Sequence, residues 1–151
     1  AYRIERVQAE LAAAGIGAIL LFDPINIRYA TGARNMMLWK AHSWGRYAFL
    51  PSRGGAVIFD APGSLHQNTA LETVSESRAS TGLGYIYGGD DLARQTARWA
   101  GEISDLVSAY CGTDRRLALD RIDPLGAGAL AHNHVEMVED RKSTRLNSSH
   151  W

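Results

Sequence analysis

The chain has one cysteine, Cys111, in 151 residues. A single thiol excludes an intrachain disulfide and is in keeping with a cytoplasmic setting. Proline is sparse, with four residues, and no proline-rich or low-complexity linker divides the chain. No apolar run approaches the length needed to span a bilayer. The first residues, AYRIERVQAELAAAG, are charged and amphipathic, unlike a secretory signal. An excess of one charge is also missing: 16 cations balance 16 anions. Without residues 140–151, which hold three cations and one anion, 13 cations face 15 anions. Neither balance points to a nucleic-acid or membrane partner.

Catalytic signatures are absent too. The chain has no Gly-Lys-Ser/Thr phosphate loop, no Gly-x-Ser-x-Gly elbow and no His-Glu-x-x-His helix. Gly15-Ile16-Gly17 precedes an apolar run instead of following one, and no third glycine completes a dinucleotide loop. His132 and His134 would share a face on a strand. With only Glu136 nearby as a third ligand, they read as surface histidines. Cys111 has no basic neighbour in sequence and reads as an inert thiol.

What is present is a globular composition, 46% hydrophobic and 21% charged, enough for a core of its own. Ile4, Val7 and Leu11 fall at helical spacing and Gly15 stops that helix. AILLF, Ala18 to Phe22, reads as a buried strand. Asp23-Pro24 turns the chain, and Pro24 opens a short helix through Tyr29. RYAFL (46–50) and AVIFD (56–60) flank PSRGG as a hairpin. A helix is expected over 64–72, and Leu83, Tyr85 and Tyr87 alternate as in a strand. Asp90 or Asp91 can cap a long helix with Leu92, Thr96, Trp99, Ile103, Leu106 and Tyr110 on one face, ended by Gly112. RLALD (116–120), a helix from Pro124 to about Ala131, and VEMV (135–138) complete the pattern. Helices interleaved with strands predict an α/β fold: one layered domain with a mixed, mostly buried sheet flanked by helices.

Leu20 to Pro51 is dense in polar and aromatic groups, among them Asn35, Trp39, His42, Trp44 and Arg46. Such crowding on a connecting segment marks either a binding surface or a cover over the sheet. Strand, then DPINIRYATG, then a hairpin entered through GRYAFL, with RLALDRIDPLG and VEMVED further on, resembles the N-terminal domain of the pita-bread metallohydrolases. That family includes creatinase, prolidase and aminopeptidase P. The resemblance covers about residues 2–139, and FDPINIRYAT with NMMLW leans toward a bacterial branch of Xaa-Pro aminopeptidases and dimethylsulfoniopropionate lyases. It implies a ribonuclease H-like fold and a catalytic C-terminal domain, absent from this chain, that binds two divalent metal ions. It also implies a homodimer in which this domain packs on its catalytic partner and lines the pocket for a small molecule or short peptide. By that resemblance Arg46 is a substrate-carboxylate contact, the alternative being a structural ion pair, and Trp39, His42 and Trp44 line the pocket, the alternative being packing. The domain itself is expected to carry no catalytic residue, metal ligand or cofactor, and to be inactive alone; the whole protein is read first as a two-metal Xaa-Pro aminopeptidase or creatinase-like hydrolase, with a dimethylsulfoniopropionate lyase or a stand-alone binding or scaffolding module as the alternatives.

The last residues are of another kind. DRKSTRLNSSH, Asp140 to His150, back-translates without interruption to a widely used short-read sequencing adapter. Residues 1–139 are therefore read as the native domain, and 140–151 as a non-native, disordered tail.

Overall fold

The computed structural model describes residues 1–34, 45–121 and 124–138. Trp39, His42 and Trp44, and the tail from 140, lie outside them. The described chain runs α1 (Tyr2–Ala13), β1 (Ala18–Leu21), α2 (Pro24–Thr31), β2 (Tyr47–Pro51) and β3 (Ala56–Asp60). A 3-10 turn (Pro62–Gln67) leads to β4 (Val74–Ala79), then α3 (Tyr85–Gly88) and α4 (Leu92–Tyr110). β5 (Leu117–Leu119), α5 (Pro124–His132) and β6 (Met137–Val138) follow.

The six strands form one mixed sheet in the order β4-β3-β2-β1-β5-β6. β2 runs antiparallel to both β1 and β3, while β3/β4, β1/β5 and β5/β6 are parallel. Alternate residues divide between two cores. On one face Ala18, Leu20, Tyr47, Phe49, Val57, Phe59 and Leu117 meet Trp99, Ile103, Leu106 and Val107 of α4 and Leu130 of α5. On the other, Ala48, Leu50, Ala56, Ile58 and Leu21 meet Ile4 of α1 with Ile27 and Ala30 of α2. Covering both faces is why the strands read as unbroken apolar runs. The expected layered α/β architecture is the observed one.

Three local expectations differ. The segment read as a helix over 64–72 is a short 3-10 turn followed by turns, and β4 comes after it. The alternation of Leu83, Tyr85 and Tyr87 is not a strand. Gly84, at φ 95°, turns the chain into the four-residue α3, and Tyr85 ends 72% exposed. Neither Asp90 nor Asp91 caps α4 through its side chain. Asp91 pairs instead with Arg94 at 3.2 Å.

The turns around β1 have a physical logic. Arg116 donates to the carbonyls of Ala14 (2.7 Å) and Gly15 (2.9 Å), placing a cation at the C-terminal end of α1. Gly17 permits a close backbone crossing, because a Cβ there would lie 1.6 Å from the Asp114 carbonyl oxygen. Asp23 Oδ1 accepts from Ile25 N at 2.8 Å as the N-cap of α2, Pro24 follows, and Gly32 at φ 79° closes the helix. Asp120, just past β5, accepts from Phe22 N (2.8 Å), Asp23 N (3.0 Å) and Asn26 Nδ2 (3.1 Å). One carboxylate thus ties the β1–α2 turn to the end of β5.

Candidate functional site

β2 and β3 pair with Tyr47 opposite Phe59. One step further out, that register sets Arg46 opposite Asp60. Arg46 Nε donates to Asp60 Oδ2 at 3.0 Å, and both residues are buried, 6% and 2% exposed. Asp60 Oδ1 also accepts from Ala61 N at 3.1 Å, and Oδ2 from Asn68 Nδ2 at 3.4 Å. Pairing in the interior offsets the cost of desolvating the two charges, and removing either partner would leave the other stranded.

This pair lines a cleft of about 240 Å³, bounded also by Gly45, Ser64, Ser80, Gly82, Tyr87 and Gln95. Its far wall is held in three ways. Ser80 N donates to Asp60 O at 2.9 Å. The Tyr47 hydroxyl accepts from Thr81 N at 3.1 Å and donates to Thr81 O at 3.3 Å. Gln95 Nε2 donates to Gly82 O at 2.9 Å. Burial pushes the Tyr47 hydroxyl well above the ordinary phenol range, so it stays a neutral donor and acceptor at any physiological pH. Tyr87 sits tightly against two glycines. A Cβ on Gly82 would come within 2.3 Å of its ring, and one on Gly45 within 2.6 Å of its hydroxyl. The cleft thus offers a guanidinium, hydroxyls and an amide, and its deepest charges compensate each other.

The other residues singled out from sequence do not join this cleft. His132 is exposed near the end of α5, and His134 is exposed at φ 59°. His134 and Glu136 line a separate depression of about 350 Å³ with Ser104, Arg115 and Asn133. Among the described residues no group of three or more His, Cys, Asp or Glu could hold a metal ion. Cys111 is buried, and that burial raises its thiol above the ordinary value, which disfavours the reactive thiolate. No described helix is long and apolar enough to cross a membrane. Sequence patterns alone do not single out Asp60, Asn68 and Asp120. The hairpin register could have revealed Asp60. Asn68 and Asp120 depend on contacts that no sequence period encodes.

Comparison with known proteins agrees with this architecture. Residues 3–122 match the creatinase/prolidase N-terminal domain model. The chain is 33% identical over 143 residues to the dimethylsulfoniopropionate lyase DddP of Roseovarius nubinhibens, and 32% identical to that of Roseobacter denitrificans. Each alignment covers 95% of this chain but 32% of the relative, so the chain spans about a third of their length. Solved structures share the fold at lower identity. The N-terminal domain of the cytoplasmic peptidase PepQ from Mycobacterium tuberculosis superposes with a TM-score of 0.61 at 17% identity, covering 92% of each chain. An Xaa-Pro aminopeptidase from Streptococcus pyogenes gives 0.63 at 12% identity, covering 92% of this chain and 89% of that one. A six-stranded mixed sheet in this order, covered on both faces and matched by the family model over most of its length, leaves one assignment: the chain belongs to the creatinase/prolidase N-terminal domain family.

Proposed function

We propose that this domain is the N-terminal third of a larger enzyme of the dimethylsulfoniopropionate lyase type. The carrying observation is the 33% and 32% identity to two such lyases across 95% of the chain. The peptidase structures, at 12% and 17% identity, speak for the fold alone. The lyase therefore takes precedence over the Xaa-Pro aminopeptidase reading. A stand-alone binding or scaffolding module has less support, since both curated relatives are about three times as long.

In this reading the catalytic domain follows residue 139 and binds the two divalent metal ions that the family resemblance implies. The N-terminal domain packs on it within a homodimer and lines the substrate pocket with Arg46, Trp39, His42 and Trp44. Arg46 enters the cleft already fixed by Asp60, and a guanidinium fork suits a carboxylate. Aromatic faces suit a sulfonium cation. Residues 140–151 are taken as adapter-derived and contribute nothing.

The test is an assay of the full-length parent protein on dimethylsulfoniopropionate and on Xaa-Pro peptides. Loss of the α-proton with cleavage of the Cβ–S bond would release dimethyl sulfide, acrylate and a proton, the first two measurable by chromatography. Release of dimethyl sulfide without peptide cleavage is the expected outcome. Peptide cleavage without dimethyl sulfide would overturn the lyase reading and restore the peptidase.

A further inference from the structure

Seven described residues have a left-handed backbone, and six of them are glycine. The exception is His134, at φ 59°. It ends α5: His134 N donates to Ala131 O and Val135 N to Leu130 O, both at 3.0 Å, the paired bonds that close a helix through a left-handed residue. Glycine is the usual choice there, because a Cβ is disfavoured in this conformation. A histidine held there stores strain, and such strain gathers at ligand sites. His134 also lines the depression of about 350 Å³, a size that suits a small molecule. It and Glu136 flank Val135, which is buried in the core, as is Val107; both valines line the same depression. Arg115 lines it too, and its Nη2 donates to Ser108 Oγ at 2.6 Å, which ties the guanidinium to α4. Among the described residues neither Arg115 nor Glu136 has an ion pair. The depression thus joins an uncompensated cation, an uncompensated carboxylate, an imidazole and two valines.

We propose that this depression binds a small zwitterion of the amino-acid class. Arg115 and the imidazole N–H of His134 donate to its carboxylate, and Glu136 accepts from its ammonium. Val107 and Val135 meet its aliphatic part. Charge selects this class of ligand. A simple anion would suit Arg115 but meet the Glu136 carboxylate. A simple cation would suit Glu136 but meet the guanidinium. A molecule carrying both charges answers both. The site shares no lining residue with the Arg46 cleft, and the inference does not depend on the lyase reading.

Titrating this chain with L-valine, acetate and methylammonium, followed by proton–nitrogen NMR, tests the site. L-Valine should shift the Arg115, His134 and Glu136 signals saturably, and each half-ligand should bind about tenfold more weakly or worse. Glu136→Gln, an exposed substitution, should abolish the preference for valine over acetate. His134→Gly should weaken valine binding yet raise the melting temperature by about 3 °C, because the left-handed strain is released. That opposite movement separates a binding role from a merely structural one. No saturable shift with valine, acetate bound as tightly as valine, or unchanged valine binding in His134→Gly would each overturn the proposal. So would a His134→Gly chain that melts no higher than the parent.

Discussion

Replacing Asp120 by Asn changes one atom of a side chain that holds two distant segments together. Asp120 Oδ1 accepts from Phe22 N, and Oδ2 accepts from both Asp23 N and Asn26 Nδ2, at 2.8, 3.0 and 3.1 Å. All three partners are donors. An asparagine keeps one acceptor and turns the other oxygen into a donor. In its better orientation the amide oxygen stays with Asp23 and Asn26, and the new NH2 faces Phe22 N. One charge-assisted bond, typically worth about 1.5–3 kcal/mol, is lost, and the remaining two weaken with the charge. The expected destabilisation is about 2 kcal/mol, and about 3 kcal/mol for Asp120→Ala, which removes all three bonds. For a domain of this size the asparagine variant should melt roughly 5–8 °C lower. Urea and thermal unfolding followed by circular dichroism measure this, with the exposed Asp105→Asn as control, expected within about 0.5 kcal/mol of the parent chain. Amide exchange should quicken first in the β1–α2 turn and α2. Asp120→Asn and Asp120→Ala both matching the control would refute the clamp.

Gly17→Ala should cost about 3 kcal/mol or more, because its Cβ would overlap the Asp114 backbone. Gly63→Ala, where a Cβ meets nothing within 4 Å, should be near neutral in the same unfolding assay. Asp60→Asn leaves the Arg46 guanidinium buried without its counter-charge and should cost about 3–5 kcal/mol; a smaller loss than Gly63→Ala would contradict the pairing. Burial is the largest influence on Glu102 and raises its pKa, while Arg78, 3.7 Å away, lowers it. With the folded value above the unfolded one, the stability this group contributes is complete at acid pH and lost as pH rises through the folded pKa. Glu102→Gln should therefore leave the melting temperature at pH 7 unchanged or slightly higher, and a marked drop would show that the ion pair with Arg78 outweighs desolvation.

Elements with a strong apolar period were legible in the sequence, and those built from polar contacts were not. α4 is legible from its apolar stripe because Thr96, Trp99, Ile103 and Leu106 are buried along one face. β4, VSESRA, carries no apolar alternation. It sits at the sheet edge, where β3 is its one strand partner, and its polar pair, Arg78 donating to Glu76, lies on the α4 side with Arg78 3.7 Å from Glu102. Tyr85 and Tyr87 alternated without marking a face, since the glycines around them, at positive φ in Gly84 and Gly89, decide the local path. Arg46 was visible as a residue but its partner was not. Asp60 is 14 positions away and emerges only when the hairpin register is applied. Asp120 works across 94–98 residues, a separation that no local pattern records.

The proposal to test is that this chain is the creatinase-type N-terminal domain of a longer, metal-dependent enzyme. Sequencing the parent locus past codon 139 tests it most directly. The account predicts that the frame leaves the DRKSTRLNSSHW sequence and continues into a catalytic domain that binds two divalent metal ions. A genome that encodes DRKSTRLNSSHW and then stops would contradict it and make a stand-alone binding module the account to pursue.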